Sequence, residues 1–269
     1  MQAMAGQPYP WRHVLVTGAS SGIGRALAVA AAAPGVTLHL SGRDATRLEA
    51  TAAACRAAGA TVAVRAADVR DRDGMAAWIA GAGRLDLVIA NAGISAGTGG
   101  ATEPADQARA IFETNVAGVL NTALPAIEAM AAQDPGPDGV RGRVAVIASI
   151  AAFIAVPGAP AYCASKAAVQ RWAEALDATE RRRGIRLHAV CPGYIRTPMT
   201  AANAFPMPLL MEPEEAARRT LRGIAAGRVR IAYPWPVYLA ARLGGALPPG
   251  LRAALFAAAP AKGAMPRVG

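Results

Sequence analysis

Short apolar runs alternate along the chain with longer amphipathic or alanine-rich stretches. The apolar runs predict strands at residues 12–17, 36–41, 61–66, 85–89, 143–149, 185–191 and 229–233. The stretches between them predict helices at residues 25–33, 44–58, 71–82, 103–130, 161–183 and 213–226, with two short helical pieces reaching residue 259. Strands that alternate with helices are typical of an α/β fold with a parallel sheet.

The first predicted strand runs directly into a glycine-rich turn. Residues 18–24 read Gly-Ala-Ser-Ser-Gly-Ile-Gly, and an alanine-rich helix follows them. Glycines permit a tight turn and let backbone N–H groups and the helix N-terminus approach a pyrophosphate closely. A glycine cluster alone most often marks an ordinary turn. Its position between the first strand and the first helix favours a dinucleotide-binding site.

Tyr162 and Lys166 are four residues apart in a predicted helix, which places both side chains on one face about 6 Å apart. A free tyrosine has a pKa near 10, so its use as an acid or base near neutrality requires a pKa roughly 2–3 units lower. A neighbouring cation acts in that direction. For any Tyr-x-x-x-Lys pair taken alone, the alternative is that the two residues merely share a surface.

The turn has the spacing Thr-Gly-x-x-x-Gly-Ile-Gly over residues 17–24, rather than Gly-x-Gly-x-x-Gly. With Tyr162 and Lys166 downstream, the chain resembles the classical short-chain dehydrogenases/reductases over residues 12–198. The resemblance implies a Rossmann fold, a doubly wound parallel sheet of about seven strands. From the length and composition we expect a single domain over residues 1–269. The resemblance implies that residues 199–228 cover the substrate, whereas residues 229–269 depart from the family's usual glycine-rich ending and form a basic, apolar C-terminal extension.

The resemblance places a nicotinamide cofactor along the strand ends. In such folds an acidic residue after the second strand binds the ribose 2′-hydroxyl of NAD, whereas an arginine accommodates the 2′-phosphate of NADP. Gly42 and Arg43 stand at this place, which favours NADP(H), with NAD(H) as the second choice; an exposed loop arginine is the alternative. The residues expected to bind the cofactor are Gly18, Ser20, Ser21, Gly22, Ile23, Gly24, Arg43, Asp68, Val69, Asn91, Ala92, Gly93, Tyr162, Lys166, Pro192, Gly193, Ile195 and Thr197.

Three of these groups have roles that the resemblance implies. Asp68 and the backbone of the next residue would contact the adenine edge, although Asp68 also fits a turn or cap residue. Residues 91–93 match an Asn-Asn-Ala-Gly motif whose first Asn is replaced by Ala90, and they would stabilise the central sheet. The loop at residues 192–197 would secure the nicotinamide carboxamide.

The resemblance also implies a catalytic set of Asn115, Ser149, Tyr162 and Lys166. Ser149 would hydrogen-bond the substrate oxygen, and Tyr162 would donate or remove its proton. Lys166 would lower the pKa of Tyr162 and hold the nicotinamide ribose. Asn115 would hold a water molecule in a proton relay, or would be structural only. A polar residue inside a packed helix disfavours regular geometry and tends to find a local backbone partner. The implied reaction is hydride transfer between NADP(H) and a carbonyl/secondary-alcohol pair.

The composition limits the compartment and the kinds of site. Cys55, Cys163 and Cys191 are odd in number and lack CxxC spacing, so we expect neither a disulfide framework nor a metal site. His13, His39 and His188 lie in predicted core strands and are expected to be structural. We see no signal-peptide pattern and no apolar stretch of the ~18–20 residues that span a bilayer. A cytoplasmic location is expected.

The net charge of +10 is concentrated at the C-terminal end, where residues 216–269 hold nine basic residues and no acidic ones. Within residues 229–259, aromatic and apolar residues accompany arginines, a composition typical of an interfacial segment. The alternative function is therefore a binding protein that docks on an anionic membrane or an acidic carrier protein. Another explanation is that these residues cover the substrate pocket or a dimer interface, since we expect a homodimer or a higher homo-oligomer. No nucleic-acid-reading module accompanies the charge.

The region expected to cover the substrate is unusually apolar. It contains Met199, Phe205, Met207, Leu209, Leu210 and Met211. Flexible apolar side chains suggest a lid over a lipophilic small-molecule substrate. A plain packing loop is the alternative.

Overall fold

The structure is a computed structural model that describes residues 9–203, 205–256 and 262–265. Within these residues, seven strands form one sheet in the order β3-β2-β1-β4-β5-β6-β7, and all neighbouring strands are parallel. The strands are β1 (His13–Thr17), β2 (Thr37–Gly42), β3 (Thr61–Ala66), β4 (Leu87–Ala90), β5 (Gly142–Ile147), β6 (Ile185–Pro192) and β7 (Arg230–Tyr233). This confirms the predicted doubly wound parallel sheet.

The helices connect these strands and cover the sheet. They are α1 (Gly22–Ala31), α2 (Ala45–Ala57), α3 (Arg72–Ala80), α4 (Ala105–Phe112), α5 (Gly118–Ala131), α6 (Pro160–Glu180), α7 (Pro198–Ala201), α8 (Pro213–Ala225), α9 (Trp235–Ala246) and α10 (Pro249–Phe256). Asp44 and Asp71 accept hydrogen bonds from backbone N–H groups in the first turns of α2 and α3. Residues 257–259 of the last predicted helical piece lie outside the described residues.

The alternation of side chains along the strands divides the core into two layers. Val14 and Val16 of β1 pack in one layer with residues of α1, α2 and α8. Leu15, between them, packs in the other layer with residues of α3, α5 and α6. Successive side chains of a strand point to opposite faces, so a sheet with apolar side chains on both faces must be covered on both.

The long helix predicted at residues 103–130 is interrupted. A π-helical turn at Glu113–Ala117 separates α4 from α5. Such turns insert an extra residue into a helix and occur frequently at functional sites. The predicted strand at residues 143–149 is also shorter than expected, because β5 ends at Ile147 and a 3₁₀ turn follows at Ile150–Phe153.

Candidate active site

A cavity of about 630 Å³ follows the carboxyl ends of the strands. The glycine turn after β1 and the end of β2 line one part of it, and residues after β5 and at the start of α6 line another. The strand order reverses between β1 and β4, and open α/β sheets bind ligands at such a switch point. The volume is in the range of small-molecule sites.

The cavity brings together nearly all of the predicted site residues. Its lining includes Gly18, Ser20, Ser21, Gly22, Ile23, Gly24, Arg43, Asp68, Val69, Asn91, Ala92, Gly93, Ser149, Tyr162, Lys166, Pro192, Gly193, Ile195 and Thr197. Among the predicted residues, Asn115 is outside this lining and fully buried. Met199 of the expected substrate cover also lines the cavity, as do Arg47 and Thr114, which no sequence motif indicated.

The glycine turn is attached to the end of β4 through one asparagine and one threonine. The Nδ2 of Asn91 donates to the carbonyl oxygens of Thr17 (2.9 Å) and Gly18 (3.2 Å). The hydroxyl oxygen of Thr17 accepts from the backbone N–H groups of Asn91 (3.1 Å) and Ala92 (3.2 Å). Gly18 has a φ of +66°, and a Cβ there would lie 2.8 Å from the Cα of Ala92. This position therefore requires glycine.

The end of β2 carries two arginines and one carboxylate. Arg43 and Arg47 both line the cavity with exposed side chains. Asp44 accepts hydrogen bonds from the backbone N–H (2.9 Å) and the Nε (2.7 Å) of Arg47. These hydrogen bonds lower the pKa of Asp44. The only carboxylate among the cavity-lining residues at this strand end is thus engaged in capping α2.

The end of β3 places Asp68 and Val69 at the cavity. Asp68 accepts from the backbone N–H of Arg70 (2.9 Å) and forms an ion pair with its guanidinium (2.7 Å). Asp68 is therefore a turn residue rather than a helix cap, since Asp71 caps α3. The carbonyl oxygen of Val69 accepts from the Nδ2 of Asn121 (2.9 Å), which fixes the backbone after β3 against α5.

Tyr162 and Lys166 lie on one face of the first turns of α6, as their spacing predicts. The ammonium Nζ of Lys166 is 5.9 Å from the centre of the Tyr162 ring and donates to the carbonyl oxygen of Ile147 (2.8 Å). Burial lowers the pKa of Lys166 to about 8. Burial raises the pKa of Tyr162 to about 12, while a hydrogen bond with the Ser149 side chain acts in the opposite direction.

The pKa of Tyr162 is therefore raised overall in this arrangement, whereas the spacing alone predicts a lowered value. The phenol is removed from water, which disfavours the phenolate, and the ammonium is directed to the carbonyl oxygen of Ile147. A phenol with a raised pKa is protonated at neutral pH. Tyr162 is therefore a neutral phenol at that pH.

Ser149 lies two residues beyond the end of β5. Its hydroxyl oxygen accepts a hydrogen bond from the backbone N–H of Ala151 (3.1 Å), which caps the 3₁₀ turn. A hydroxyl has one donor and two acceptor positions, so the proton of Ser149 can still be donated. The cap fixes the position of the hydroxyl beside Tyr162.

Asn115 lies in the π-helical turn and connects three parts of the site. Its Oδ1 accepts from the backbone N–H of Ile94 (2.8 Å), and its Nδ2 donates to the carbonyl oxygen of Ile94 (2.9 Å) and to the hydroxyl oxygen of Ser165 (3.1 Å). The expected local backbone partner is therefore wrong, because Ile94 belongs to the loop after β4. A Cβ on Gly93 would lie 3.1 Å from this Oδ1 and 3.4 Å from the Nζ of Lys166. The two polar groups thus approach the same glycine.

The loop after β6 closes the cavity against the glycine turn. A Cβ on Gly22 would lie 3.0 Å from the Cγ2 of Thr197. Thr197 caps the short helix α7 together with Thr200, whose hydroxyl donates to the carbonyl oxygen of Ile195 (2.6 Å). This loop is therefore fixed internally as well as by its contact with the turn.

Comparison with known proteins agrees with this geometry. A family model described as short chain dehydrogenase matches residues 12–205. An uncharacterized oxidoreductase of Myxococcus xanthus (strain DK1622) is 36% identical over 242 residues, which cover 88% of this chain and 93% of that protein. The 3-dehydrosphinganine reductase TSC10B of Arabidopsis thaliana is 30% identical over 238 residues, which cover 83% of this chain and 70% of the reductase.

Solved structures show the same likeness. A short-chain dehydrogenase from Sphingobium yanoikuyae in complex with NADPH has a TM-score of 0.74 at 27% identity, with 86% of this chain and 94% of that chain covered. A short chain dehydrogenase from Mycobacterium paratuberculosis bound to NAD has a TM-score of 0.68 at 25% identity, with coverage of 85% and 98%. With the parallel sheet and the ordered motifs, these similarities show that the chain belongs to the short-chain dehydrogenase/reductase family and is an oxidoreductase.

Proposed function

We propose that the protein interconverts a carbonyl and a secondary alcohol with NADP(H) as its cofactor. The observation that carries this proposal is the convergence of Ser149, Tyr162 and Lys166 in the same cavity as the glycine turn. One end of the cavity offers hydroxyl and ammonium groups for chemistry, and the other offers backbone N–H groups and guanidinium groups for phosphates. The proposal includes a core at residues 12–198 and a substrate cover at residues 199–228.

The residues present fit a nicotinamide dinucleotide. The N-terminus of α1 begins at Gly22 in the cavity wall, where backbone N–H groups suit a pyrophosphate. The backbone at Asp68 and Val69 suits the adenine, and the loop from Pro192 to Thr197 suits the carboxamide. Bound in this cavity, the nicotinamide would supply or accept the hydride.

The chain's own groups handle the proton. In the direction of reduction, the hydroxyls of Ser149 and Tyr162 would hydrogen-bond the carbonyl oxygen, and the neutral phenol would donate its proton to that oxygen. The ammonium of Lys166, 5.9 Å from the ring, would stabilise the phenolate that remains. Asn115 would hold the loop after β4 and helix α6 in position around this pair through its hydrogen bonds to Ile94 and Ser165.

The preference for NADP(H) rests on the end of β2. Arg43 and Arg47 border the cavity there, and the carboxylate of Asp44 is bound to Arg47. Two guanidinium groups beside an engaged carboxylate favour a 2′-phosphate over a 2′-hydroxyl. One structural relative holds NADPH and another holds NAD. The proposed preference for NADP(H) therefore rests on the charges at this strand end and not on the relatives.

A lipophilic substrate is supported by the apolar side chains around the reacting groups. Met199 lines the cavity and is 40% exposed, and Ile94 lines it beside the catalytic groups. Leu209, in the segment proposed to cover the substrate, is 57% exposed. One relative is named for the reduction of 3-dehydrosphinganine. These features favour an apolar chain on the substrate.

Tyr162→Phe tests the proposed role of the phenol. The variant should lose about 10²- to 10⁴-fold in turnover of a panel of aliphatic, steroid and β-keto acyl carbonyls, while NADPH binding stays unchanged. Tyr9→Phe is the matched control, because Tyr9 stacks on Trp11 and lies outside the cavity lining. Retention of most of the activity by Tyr162→Phe would remove this residue from its proposed role.

A second candidate function, attachment to an anionic membrane, is favoured by an exposed apolar face on α9 and α10. Ala241 and Gly245 of α9 pack inward, with Gly245 against Phe153. The outward residues are Trp235, Leu239, Leu243, Leu251 and Leu255. Residues 216–269 carry nine basic residues and no acidic ones, which suits anionic lipid. Among the described helices, none is long and apolar enough to cross a bilayer.

We expect a cytoplasmic protein that docks on lipid through this face, which we name the α9–α10 face. Full-length protein should co-sediment with phosphatidylserine vesicles at low salt, and the triple variant Trp235→Ser, Leu239→Ser, Leu243→Ser should not. Absence of lipid binding by the unaltered protein would exclude the membrane. A dimer that dissociates in the triple variant would assign the face to a second copy of the chain, and binding of an acidic carrier protein would assign it to that partner.

A further inference from the structure

The C-terminal residues 262–265 lie against the loop after β4 and against α4. The backbone N–H groups of Gly97 and Gly99 donate to the carbonyl oxygens of Gly263 and Lys262, both at 2.8 Å. The backbone N–H of Met265 donates to the Oε1 of Gln107 (2.7 Å). Three hydrogen bonds that do not involve the Lys262 side chain therefore hold this segment beside the cavity.

This placement brings a second lysine to the catalytic tyrosine. The chain contains two lysines, Lys166 and Lys262, among 28 basic residues. The Nζ atoms of Lys166 and Lys262 lie 5.9 Å and 6.0 Å from the centre of the Tyr162 ring. Lys166 is directed to the carbonyl oxygen of Ile147. Lys262 is 96 positions beyond Lys166 in the sequence, so no local pattern indicates that they share a site.

The ammonium of Lys262 has only neutral partners in the part of the chain that the structure describes. It donates to the hydroxyl oxygen of Ser95 (2.9 Å) and is 3.5 Å from the carbonyl oxygen of Met199. Within residues 9–203, 205–256 and 262–265, no carboxylate lies at ion-pair distance from it. Burial lowers its pKa. A partly buried ammonium has three N–H donors, and a neighbouring anion would compensate its charge.

We infer that Lys262 determines substrate specificity by binding a carboxylate of the substrate. This inference rests on the proposed carbonyl/alcohol chemistry and narrows its substrate to an oxo acid or the corresponding hydroxy acid. Tyr162 and Met199, which border the ammonium, both line the cavity. The ammonium therefore lies next to the tyrosine that would meet the carbonyl oxygen of the substrate.

A purely structural role explains less of this arrangement. The backbone hydrogen bonds already hold the segment, and a Cβ on Gly97 would lie 2.5 Å from the carbonyl oxygen of Gly158 and 2.5 Å from the Cβ of Lys262. The segment therefore packs closely without help from the ammonium. A hydrogen bond to the Ser95 hydroxyl alone would need only a neutral donor. An ammonium forms stronger hydrogen bonds with a carboxylate than with neutral acceptors such as this hydroxyl.

The test compares aliphatic 3-oxo acids with their methyl esters, with NADPH and NADH as alternative cofactors. The full chain and the variants Lys262→Met, Lys262→Arg and Arg242→Met are assayed. The unaltered protein should prefer the acids, and Lys262→Met should lower kcat/KM for the acids about 10- to 100-fold while changing that of the esters by less than about twofold. Lys262→Arg should retain most of the preference.

Arg242→Met is the matched control. Arg242 lies 5.9 Å from the centre of the Tyr238 ring, a similar cation–ring arrangement, but it is exposed on α9, and Tyr238, unlike Tyr162, does not line the cavity. Its replacement should leave the ratio of acid to ester turnover unchanged. Equal loss for acids and esters in Lys262→Met, or a preference of the unaltered protein for the esters, would overturn the inference and leave the proposed function standing.

A binding measurement distinguishes failure of the carboxylate site from failure of the proposed reaction. The protein is titrated with the same acids and esters in the presence of NADPH, and binding is followed by intrinsic fluorescence. If no carbonyl is reduced but the acids bind more weakly to Lys262→Met than to the unaltered protein, the proposed reaction fails and the carboxylate site stands. If neither turnover nor acid binding depends on Lys262, the carboxylate site is wrong.

Discussion

Replacing Lys166 with methionine should remove a specific dependence of protein stability on pH. Burial lowers the pKa of Lys166 from 10.5 to about 8. Between these values the unfolded chain binds more protons than the folded protein does. The free energy of unfolding therefore rises with pH across this window, and the destabilisation is fully present below pH 8.

The size of the effect follows from the two pKa values. The difference between 10.5 and about 8 corresponds to about 3 kcal/mol of destabilisation by the buried ammonium at low pH. Raising the pH from about 7 to about 9.5 should remove about 2 kcal/mol of this. Loss of the hydrogen bond to the carbonyl oxygen of Ile147 also affects the variant, but that cost does not change with pH.

The measurement is urea denaturation followed by tryptophan fluorescence, at about pH 7 and about pH 9.5. The unaltered protein should gain about 2 kcal/mol relative to Lys166→Met over this range. Lys166→Arg is the control, because arginine keeps a charge that does not titrate there. Groups remote from Lys166 are common to all three proteins and cancel in the differences. If the difference in free energy of unfolding between the unaltered protein and Lys166→Met changes by less than about 0.5 kcal/mol between the two pH values, the desolvation of Lys166 is refuted.

Two further predictions concern the cofactor and the turn. Arg43→Ala should raise the KM for NADPH about tenfold and leave the KM for NADH unchanged, because the 2′-phosphate loses a guanidinium partner. Arg56→Ala, which breaks an exposed ion pair with Glu49, is the control. Equal effects of Arg43→Ala on the KM values of both cofactors would contradict the assignment. Asn91→Ala should lower the free energy of unfolding by about 2 kcal/mol, since the carbonyls of Thr17 and Gly18 lose their donor. Urea denaturation of Asn91→Ala measures this loss. Asn203→Ala is the control, because the Nδ2 of Asn203 bonds only a thioether in the described structure. Equal stability of the two variants would contradict the prediction.

Much of the site could be predicted because its signals are local. The glycine turn lies between β1 and α1, and the Tyr162–Lys166 spacing positions two side chains on one helix face. The parallel sheet then brings the strand ends to one edge, so residues from distant parts of the chain meet there. Backbone periodicity and the connectivity of an alternating α/β chain decide these features.

Other properties arise only from packing. The spacing of Tyr162 and Lys166 predicted a lowered phenol pKa, but burial raises it, because desolvation depends on atoms from many segments. The sequence placed Asn115 within a long helix and predicted a local backbone partner, whereas the structure places it in a π-helical turn bonded to Ile94. The partner lies on another loop, and helix periodicity carries no information about it.

The sequence by itself determined the sheet, the order of the motifs and the Tyr162–Lys166 pair, since these depend on residues close together in the chain. Only the tertiary structure decided how much water reaches the pair and which other groups approach it. It brought Lys262 to 6.0 Å from the Tyr162 ring through backbone hydrogen bonds of its segment. Contacts over such a separation depend on how the whole chain packs, and no spacing rule along the sequence encodes them.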